Sequence, residues 1–329
     1  LKERLLSIAK YLGLLGVGIG LVFLAFRGIN LEQVVTTLSN ANWIWLIPAF
    51  IFSCISHYIR GIRWNMLIES LGYKTSAFNS FFAVSIGYLA NTAVPRLGEV
   101  TRCTILSKTQ EAPVDALLGT VVLERIIDVL TVLILLFILI GIEFEVFGSF
   151  FLNLIGSKFG FLVDHWILIG LGSILVTIAG FLFIKFWFEK LKSIPGLGKL
   201  LGFLEGMWTG LLSIKKLNRP FLFIFYSFFI WGMYLMITLS AFKCLAPTSN
   251  LGFGEGLAVL VAGGFGMAAP TPGGIGSYHL LVSEVLTLFQ ISKADGLAAA
   301  TLNHLSQTLF LIILGSFSFL MLFLRKSTK

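Results

Sequence analysis

The chain has 329 residues, 57% of them hydrophobic and 12% charged, and its mean hydropathy is +0.94. A soluble domain carries about 25% charged residues, so a soluble enzyme or binding module is excluded, and continuous apolar runs near the ~20 residues that cross a bilayer exclude the alternating segments of a β-barrel. The net charge of +8 then reads as basic cytoplasmic loops beside anionic lipid, with no nucleic acid implied.

In chain order, a basic lead-in precedes a Gly-rich first span over residues 11–26. No small-residue cleavage site follows it, so no cleaved signal peptide is expected. Asn30 is placed to cap a short surface helix with Leu31, Val34, Val35 and Leu38 on one face. Residues 43–59 cross back with Trp43 and Trp45 as interfacial anchors, and Arg60, Arg63 and Lys74 mark the following stretch as cytoplasmic. Residues 77–94 are apolar but interrupted by Asn79, Ser80, Ser85 and Asn91, and end in a Pro95–Gly98 break. With the short segment to Lys108 they read as a re-entrant helical hairpin entered from inside. Residues 120–141 cross outward, Glu143, Glu145 and Asp164 populate an outer loop, and 166–188 return. A basic stretch at 190–219 carries Leu200, Leu204, Met207, Trp208 and Leu211 on one face, the pattern of a helix lying along the inner leaflet. Residues 221–242 cross out, 255–290 form a second broken hairpin entered from outside, and 297–324 return to a basic tail.

The fold class predicted is an all-α polytopic membrane protein with about six full spans and two oppositely oriented re-entrant hairpins. Sixteen Lys and Arg residues fall on proposed inner segments, Arg60 and Arg63 among them, against four on outer ones, as the positive-inside rule requires. Within a single domain over 1–329, residues 43–141 and 221–324 then repeat one unit with inverted orientation, separated by the cytoplasmic interfacial helix at 190–219. Inverted repeats with broken helices in matching positions characterise transporters, whose site lies between the halves.

Arg96, Glu99 and Arg102 follow one another at three-residue spacing just after the break at Pro95 and Gly98. Two guanidiniums near a helix start suit bidentate phosphate binding, with Glu99 orienting them; the bland alternative is a turn that holds any lipid headgroup. Glu124 and Asp128 share a face with Arg125 beside them, near the end of their span. Set against the first hairpin, Glu124 or Asp128 neutralises Arg96 or Arg102, whether as a counter-ion and gate or as a structural pin. In the second hairpin, Pro270, Pro272, Gly273, Gly274 and Gly276 expose backbone to a substrate, and His279 and Glu284 follow on its second arm. Asn303, His304 and Gln307 add polarity to the last helix. Cys54, Cys103 and Cys244 are isolated, and no nucleotide, hydrolase, zinc or dinucleotide motif is present, so the expected sets of catalytic residues, metals and cofactors are all none.

At three of these motifs, in this order, the chain resembles the lysylphosphatidylglycerol synthase transmembrane-region family, also called flippase-like or UPF0104. They are Pro95-Arg96-x-Gly98-Glu99-x-x-Arg102, Glu124-Arg125-x-x-Asp128 and Pro272-Gly273-Gly274-x-Gly276. The resemblance covers most of the chain. It implies the fold of the membrane half of the multiple peptide resistance factor, which moves aminoacylated phosphatidylglycerol. Relatives include stand-alone domains and archaeal proteins linked to dolichol-type lipid glycosylation. Where the family often carries an acidic residue this chain has His279, and no soluble aminoacyl-transferase domain follows Leu324.

The function expected is movement of a phosphate-bearing lipid (phospholipid, aminoacyl-phospholipid or polyprenyl-phosphate-linked) across the cytoplasmic, or inner, membrane of a bacterium or archaeon. Arg96, Glu99, Arg102 and Arg125 would hold the phosphate, with both chain ends cytoplasmic. The competing readings are a lipid-linked glycosyl or phosphoryl transferase, and a scaffold for a lipid-modifying enzyme partner. Gly-spaced helices allow a homodimer.

Overall fold

The computed structural model describes residues 23, 30–94, 97–110, 112–148, 197–269 and 271–327. Their regular structure is helical, and the protein is an all-α polytopic membrane protein. We number its helices α1 (Leu31–Ser39), α2 (Leu46–Ser70), α3 (Ala77–Ala93), α4 (Leu97–Gln110), α5 (Val114–Ile142), α6 (Leu197–Leu211), α7 (Pro220–Phe242), α8 (Phe253–Ala268), α9 (Ser277–Thr287) and α10 (Lys293–Ser327). Among the described residues, four helical stretches are long and apolar enough to cross a membrane: Trp43–Ser70, Val114–Ile142, Pro220–Phe242 and Lys293–Leu324. The other two expected spans, at 11–26 and 166–188, lie outside the described residues.

Local chemistry sets the helix ends. Asn30 caps α1 by accepting from the Glu32 and Gln33 N–H groups, and the Ser76 hydroxyl caps α3 through Asn79 N–H. α3 stops at Val94, whose extended backbone (φ −136°, ψ 120°) is the conformation a following proline imposes. In α1 only Val34 is fully buried, with Leu38 partly so, whereas Leu31 and Val35 stay exposed. The helix is tied to α10 by Gln33 and Thr37, which donate to Asp295.

Both expected hairpins are present as helix pairs, α3 with α4 and α8 with α9. α3 and α4 meet at Gly87 and Gly98, so closely that neither position has room for a Cβ atom. The second pair turns through Pro272–Gly274, with positive φ at Gly273, Gly274 and Gly276 (59°, 76° and 84°), a run that only glycines accept without strain.

Two span–hairpin–span units pack on each other. α2 and α7 run antiparallel, with Leu67 beside Phe223, Arg63 bonded to Ser227 and Arg60 bonded to Tyr234. The closing helix of each unit lies on the first arm of the other unit's hairpin. Gly315 of α10 touches Ser85 and Leu89 of α3, while Val132 of α5 and Glu143 just past its end approach Gly264 and Gly254 of α8.

One expectation needs correction here, and a second gains a contact the sequence did not show. The helix whose crossing stretch is read as ending at residue 59 continues to Ser70, since Gly61 stays helical within it and the next break is Gly72, with positive φ. Arg60 and Arg63 are therefore buried within the protein, at 3% and 0% exposure, rather than in an exposed loop. Without them, fourteen basic residues remain on the inner segments against four, so the asymmetry survives. The basic-stretch helix, α6, docks on α5 through glycines while Leu204 and Trp208 stay exposed. A Cβ on Gly210 would sit 2.1 Å from the Ala116 carbonyl oxygen, whereas the nearest atoms to one on Gly206 belong to the Asp115 side chain, from its carboxylate at 2.1 Å to its Cβ at 2.9 Å. Gly210→Ala should therefore lower the thermal midpoint of the detergent-solubilised protein by several degrees, consistent with overpacking costs of about 1–3 kcal/mol. Gly206→Ala should change it less, because the Asp115 carboxylate can turn away and only its Cβ has to shift. Equal effects would refute this packing.

Candidate functional site

Arg60 and Arg63 are three residues apart on α2, and Glu124 and Asp128 four apart on α5, so each pair shares one helix face. The two helices run antiparallel and bring the pairs into register. Arg60 meets Asp128 at 2.9 Å, and Arg63 meets Asp128 at 2.9 Å and Glu124 at 3.3 Å. One turn on, the Trp64 indole N–H donates to the Thr120 hydroxyl at 2.8 Å. The first hairpin adds Arg102, 2.8 Å from Glu124, with its guanidinium 4.6 Å from the Trp64 ring centre. The other unit contributes the Ser227 and Tyr234 hydroxyls, which accept from Arg63 and Arg60 at 3.1 and 3.3 Å.

A charge at the bilayer centre costs roughly 2.5–3.5 kcal/mol on insertion scales, so five of them persist only as a mutually paired set. The set spans α2, α4 and α5, and it is the electrostatic joint of the first unit. The buried Nε atoms of Arg60 and Arg63 have no hydrogen-bond partner, and neither do Glu124 Oε2 and Asp128 Oδ1, which face Arg102 and Arg63 at ion-pair distance. At the rim, Arg125 pairs with Glu99 at 2.8 Å, their side chains 44% and 22% exposed. Between α3, α4 and α5 lies a narrow crevice of about 10 Å³, room for little more than one water molecule, lined among others by Gly87, Tyr88, Asn91, Glu99, Arg102 and Arg125.

A second polar cluster surrounds the turn of the second hairpin, which touches α3. The Ser277 hydroxyl donates to Gly266 O at 2.7 Å and pairs with Thr271 Oγ1 at 2.9 Å. His304 Nε2 lies 2.8 Å from Gly273 O, which makes that nitrogen the protonated one. Its ring lies 4.9 Å from that of His279, and both Nδ1 atoms are buried without a partner. Asn303 donates to the Tyr278 hydroxyl at 2.8 Å and accepts from Gln307 at 2.9 Å.

The residues singled out in the sequence thus fall into two groups. Gly98, Glu99, Arg102, Glu124, Arg125 and Asp128 converge on one cluster, and Pro272, Gly273, Gly274, Gly276, His279, Asn303, His304 and Gln307 on the other. Pro95, Arg96 and Pro270 lie outside the described residues. Glu284 joins neither cluster; it forms an exposed ion pair with Lys293. Glu124 does neutralise Arg102, but the main partners of Asp128 are Arg60 and Arg63, and Asp128 sits at the middle of a helix that begins at Val114 rather than near an end. Among the described residues no group of three or more His, Cys, Asp and Glu side chains is arranged to hold a metal ion.

A family model described as the lysylphosphatidylglycerol synthase TM region matches residues 11–315, and the chain belongs to that family. It is similar to a UPF0104 membrane protein of Methanocaldococcus jannaschii, 32% identical over 45% of this chain and 42% of that one. A UPF0104 membrane protein of Pyrococcus horikoshii is 24% identical over 90% of this chain and 92% of its own length. A shorter likeness, 26% identity over 32% of the chain, is to glycosyltransferase AglD of Haloferax volcanii and covers 17% of that protein. No solved structure matches the chain. Membership in this family, together with four membrane-crossing helices, makes the protein multi-pass and its role membrane-lipid-related.

Proposed function

We propose that the protein is a lipid translocase of the cytoplasmic membrane. The observation that carries this reading is the buried arginine–carboxylate set, which opens at Arg102 onto a crevice between the first hairpin and α5. Arg102, with Arg96 ahead of it, would hold the phosphate of a phospholipid, aminoacyl-phospholipid or polyprenyl-phosphate-linked lipid. Glu124, already on Arg102, is the counter-ion the phosphate displaces, and Glu99–Arg125 is the rim pair that opens for it. The reciprocal packing of the two units, with α2 antiparallel to α7, supports an inverted repeat whose hairpins are re-entrant. The glycine turn held by His304 is then the opposite gate. The basic excess on inner segments supports both ends lying in the cytoplasm.

The test is lipid movement in proteoliposomes, with fluorescent phosphatidylglycerol, its lysyl derivative and a polyprenyl-phosphate lipid. Wild type should move at least one of them, and Arg102→Gln should lose about tenfold or more in rate, the scale of one charge-assisted phosphate contact. Wild type that moves none, while folded, would sink the reading. The likeness to glycosyltransferase AglD would then favour a membrane module that serves lipid-linked glycosyl transfer.

A further inference from the structure

Away from the charge cluster, two buried imidazoles meet beside the glycine turn. His279, in the first turn of α9, and His304, on α10, are each 7% exposed. Their ring centres lie 4.9 Å apart, with the planes inclined at 58°. The Nδ1 atom of each is buried without a hydrogen-bond partner. In His304 the Nε2 proton is committed to Gly273 O at 2.8 Å, so its Nδ1 carries a bare lone pair. The polar side chains beside the two rings donate elsewhere: Asn303 to the Tyr278 hydroxyl, Gln307 to Asn303 Oδ1, and Ser277 to Gly266 O. Buried polar atoms of this kind mark the place of an ion or a bound molecule.

We propose that His279 and His304 form a binding site for a divalent transition-metal ion of the Zn²⁺ class, held by the two Nδ1 atoms. Neutral imidazole is the commonest metal ligand. A ligating histidine gives its other ring N–H to a carbonyl, which fixes the ring and raises its basicity; Gly273 O does this for His304. The spacing suits one shared ion. With Zn–N bonds of about 2.0–2.1 Å an ion lies about 3.2 Å from each ring centre, so rings 4.9 Å apart subtend about 100° at it, near the tetrahedral angle. Nitrogen ligands favour Zn²⁺, Cu²⁺ or Ni²⁺ over Mg²⁺ and Ca²⁺, which take oxygen. Two protein ligands leave positions open for water or another polar group, so the ion would exchange, unlike one in a four-ligand structural site. It would tie α9 to α10 at the turn that packs on α3, where the two units meet. The inference goes beyond the lipid reading and does not depend on it.

The experiment is Zn²⁺ titration of the untagged full chain in detergent, freed of metal by chelator, followed by calorimetry and by thermal unfolding. Wild type should take up one Zn²⁺ in a manner Mg²⁺ does not compete with, and its thermal midpoint should rise, as binding to the folded state alone requires. His279→Gln and His304→Gln should each weaken binding by at least about tenfold, the lower end of what disturbing a metal's ligand shells costs. His57→Gln is the control, since His57 lies on α2 with its Nδ1 on Ser53 O, and it should bind as wild type does. If one of the two variants fails to fold, the other decides. If both fail, X-ray absorption by zinc on the wild type decides, with two imidazole nitrogens at about 2.0–2.1 Å expected. A wild type that takes up no Zn²⁺, a zinc shell without imidazole, folded variants that bind like wild type, or a loss in His57→Gln as large as in the other two would each overturn the proposal.

Discussion

Asp128→Ala should destabilise the folded protein by about 3–5 kcal/mol, the cost of removing one partner from a buried ion pair. Asp128 answers two guanidiniums at once, Arg60 and Arg63, each at 2.9 Å and each almost without solvent contact. Alanine leaves Arg60 with only the Tyr234 hydroxyl and the faces of Tyr88 and Tyr234. Those aromatic contacts are worth about 0.5–2 kcal/mol, too little to replace a carboxylate. Glu99→Ala is the control, because its pair with Arg125 is partly exposed and such pairs contribute about 0–1 kcal/mol. A double variant, Arg60→Met with Asp128→Leu, should recover part of the loss, since it removes both partners of one contact while Arg63 keeps Glu124. Thermal unfolding in detergent micelles reads all three. Equal losses for Asp128→Ala and Glu99→Ala, or strict additivity in the double variant, would show that the cluster does not hold the helices together.

That Arg60 and Arg63 belong to this cluster was not legible from charge patterning. A basic pair at the end of an apolar run is the ordinary signature of a cytoplasmic loop, and their partners lie more than sixty residues away in Glu124 and Asp128. Two local signals point the other way. No proline and no glycine but Gly61, which stays inside the helix, separates residue 59 from Ser70, and Arg60 and Arg63 share a helix face that can meet the i, i+4 carboxylates. The hairpins, by contrast, were legible, because Pro95–Gly98 and Pro272–Gly276 are breaks inside apolar runs and proline and glycine act locally. Arg102 with Glu124 was legible for a similar reason: a charge in hydrocarbon demands an opposite charge nearby. The docking of α6 was not. Its apolar face suggested the leaflet surface, but Gly206 and Gly210 on another face allow a closer helix contact than leucines do, and close van der Waals packing is what joins helices in lipid. The partners of His304 also escaped the sequence, since a backbone carbonyl at Gly273 leaves no residue-type signal.

Gly98→Ala should abolish lipid movement while changing only one methyl group. A Cβ at this position would lie 2.0 Å from the Gly87 carbonyl oxygen and 2.7 Å from the Asn91 side chain, and neither is the loose end of a long chain. The first hairpin must therefore open by about 1 Å or more to restore ordinary contact distances. α4 carries both Glu99 and Arg102, so this opening stretches the pairs with Arg125 and Glu124 together. It also pulls Gly98 N–H away from Asn91, one of the crevice's polar groups. Displacements of this size in a positioned site cost on the order of 10²-fold in rate, while overpacking costs about 1–3 kcal/mol in stability, so activity should fall much further than folding does. Gly232→Ala on α7 supplies the comparison, since a Cβ there meets nothing within 4 Å. The measurement is the rate of lipid movement alongside the thermal midpoint for each variant. A Gly98→Ala protein that moves lipid at the wild-type rate would mean that the close contact of α3 and α4 is not what positions Arg102. A Gly98→Ala protein that is slow but melts normally would place the effect on the crevice itself.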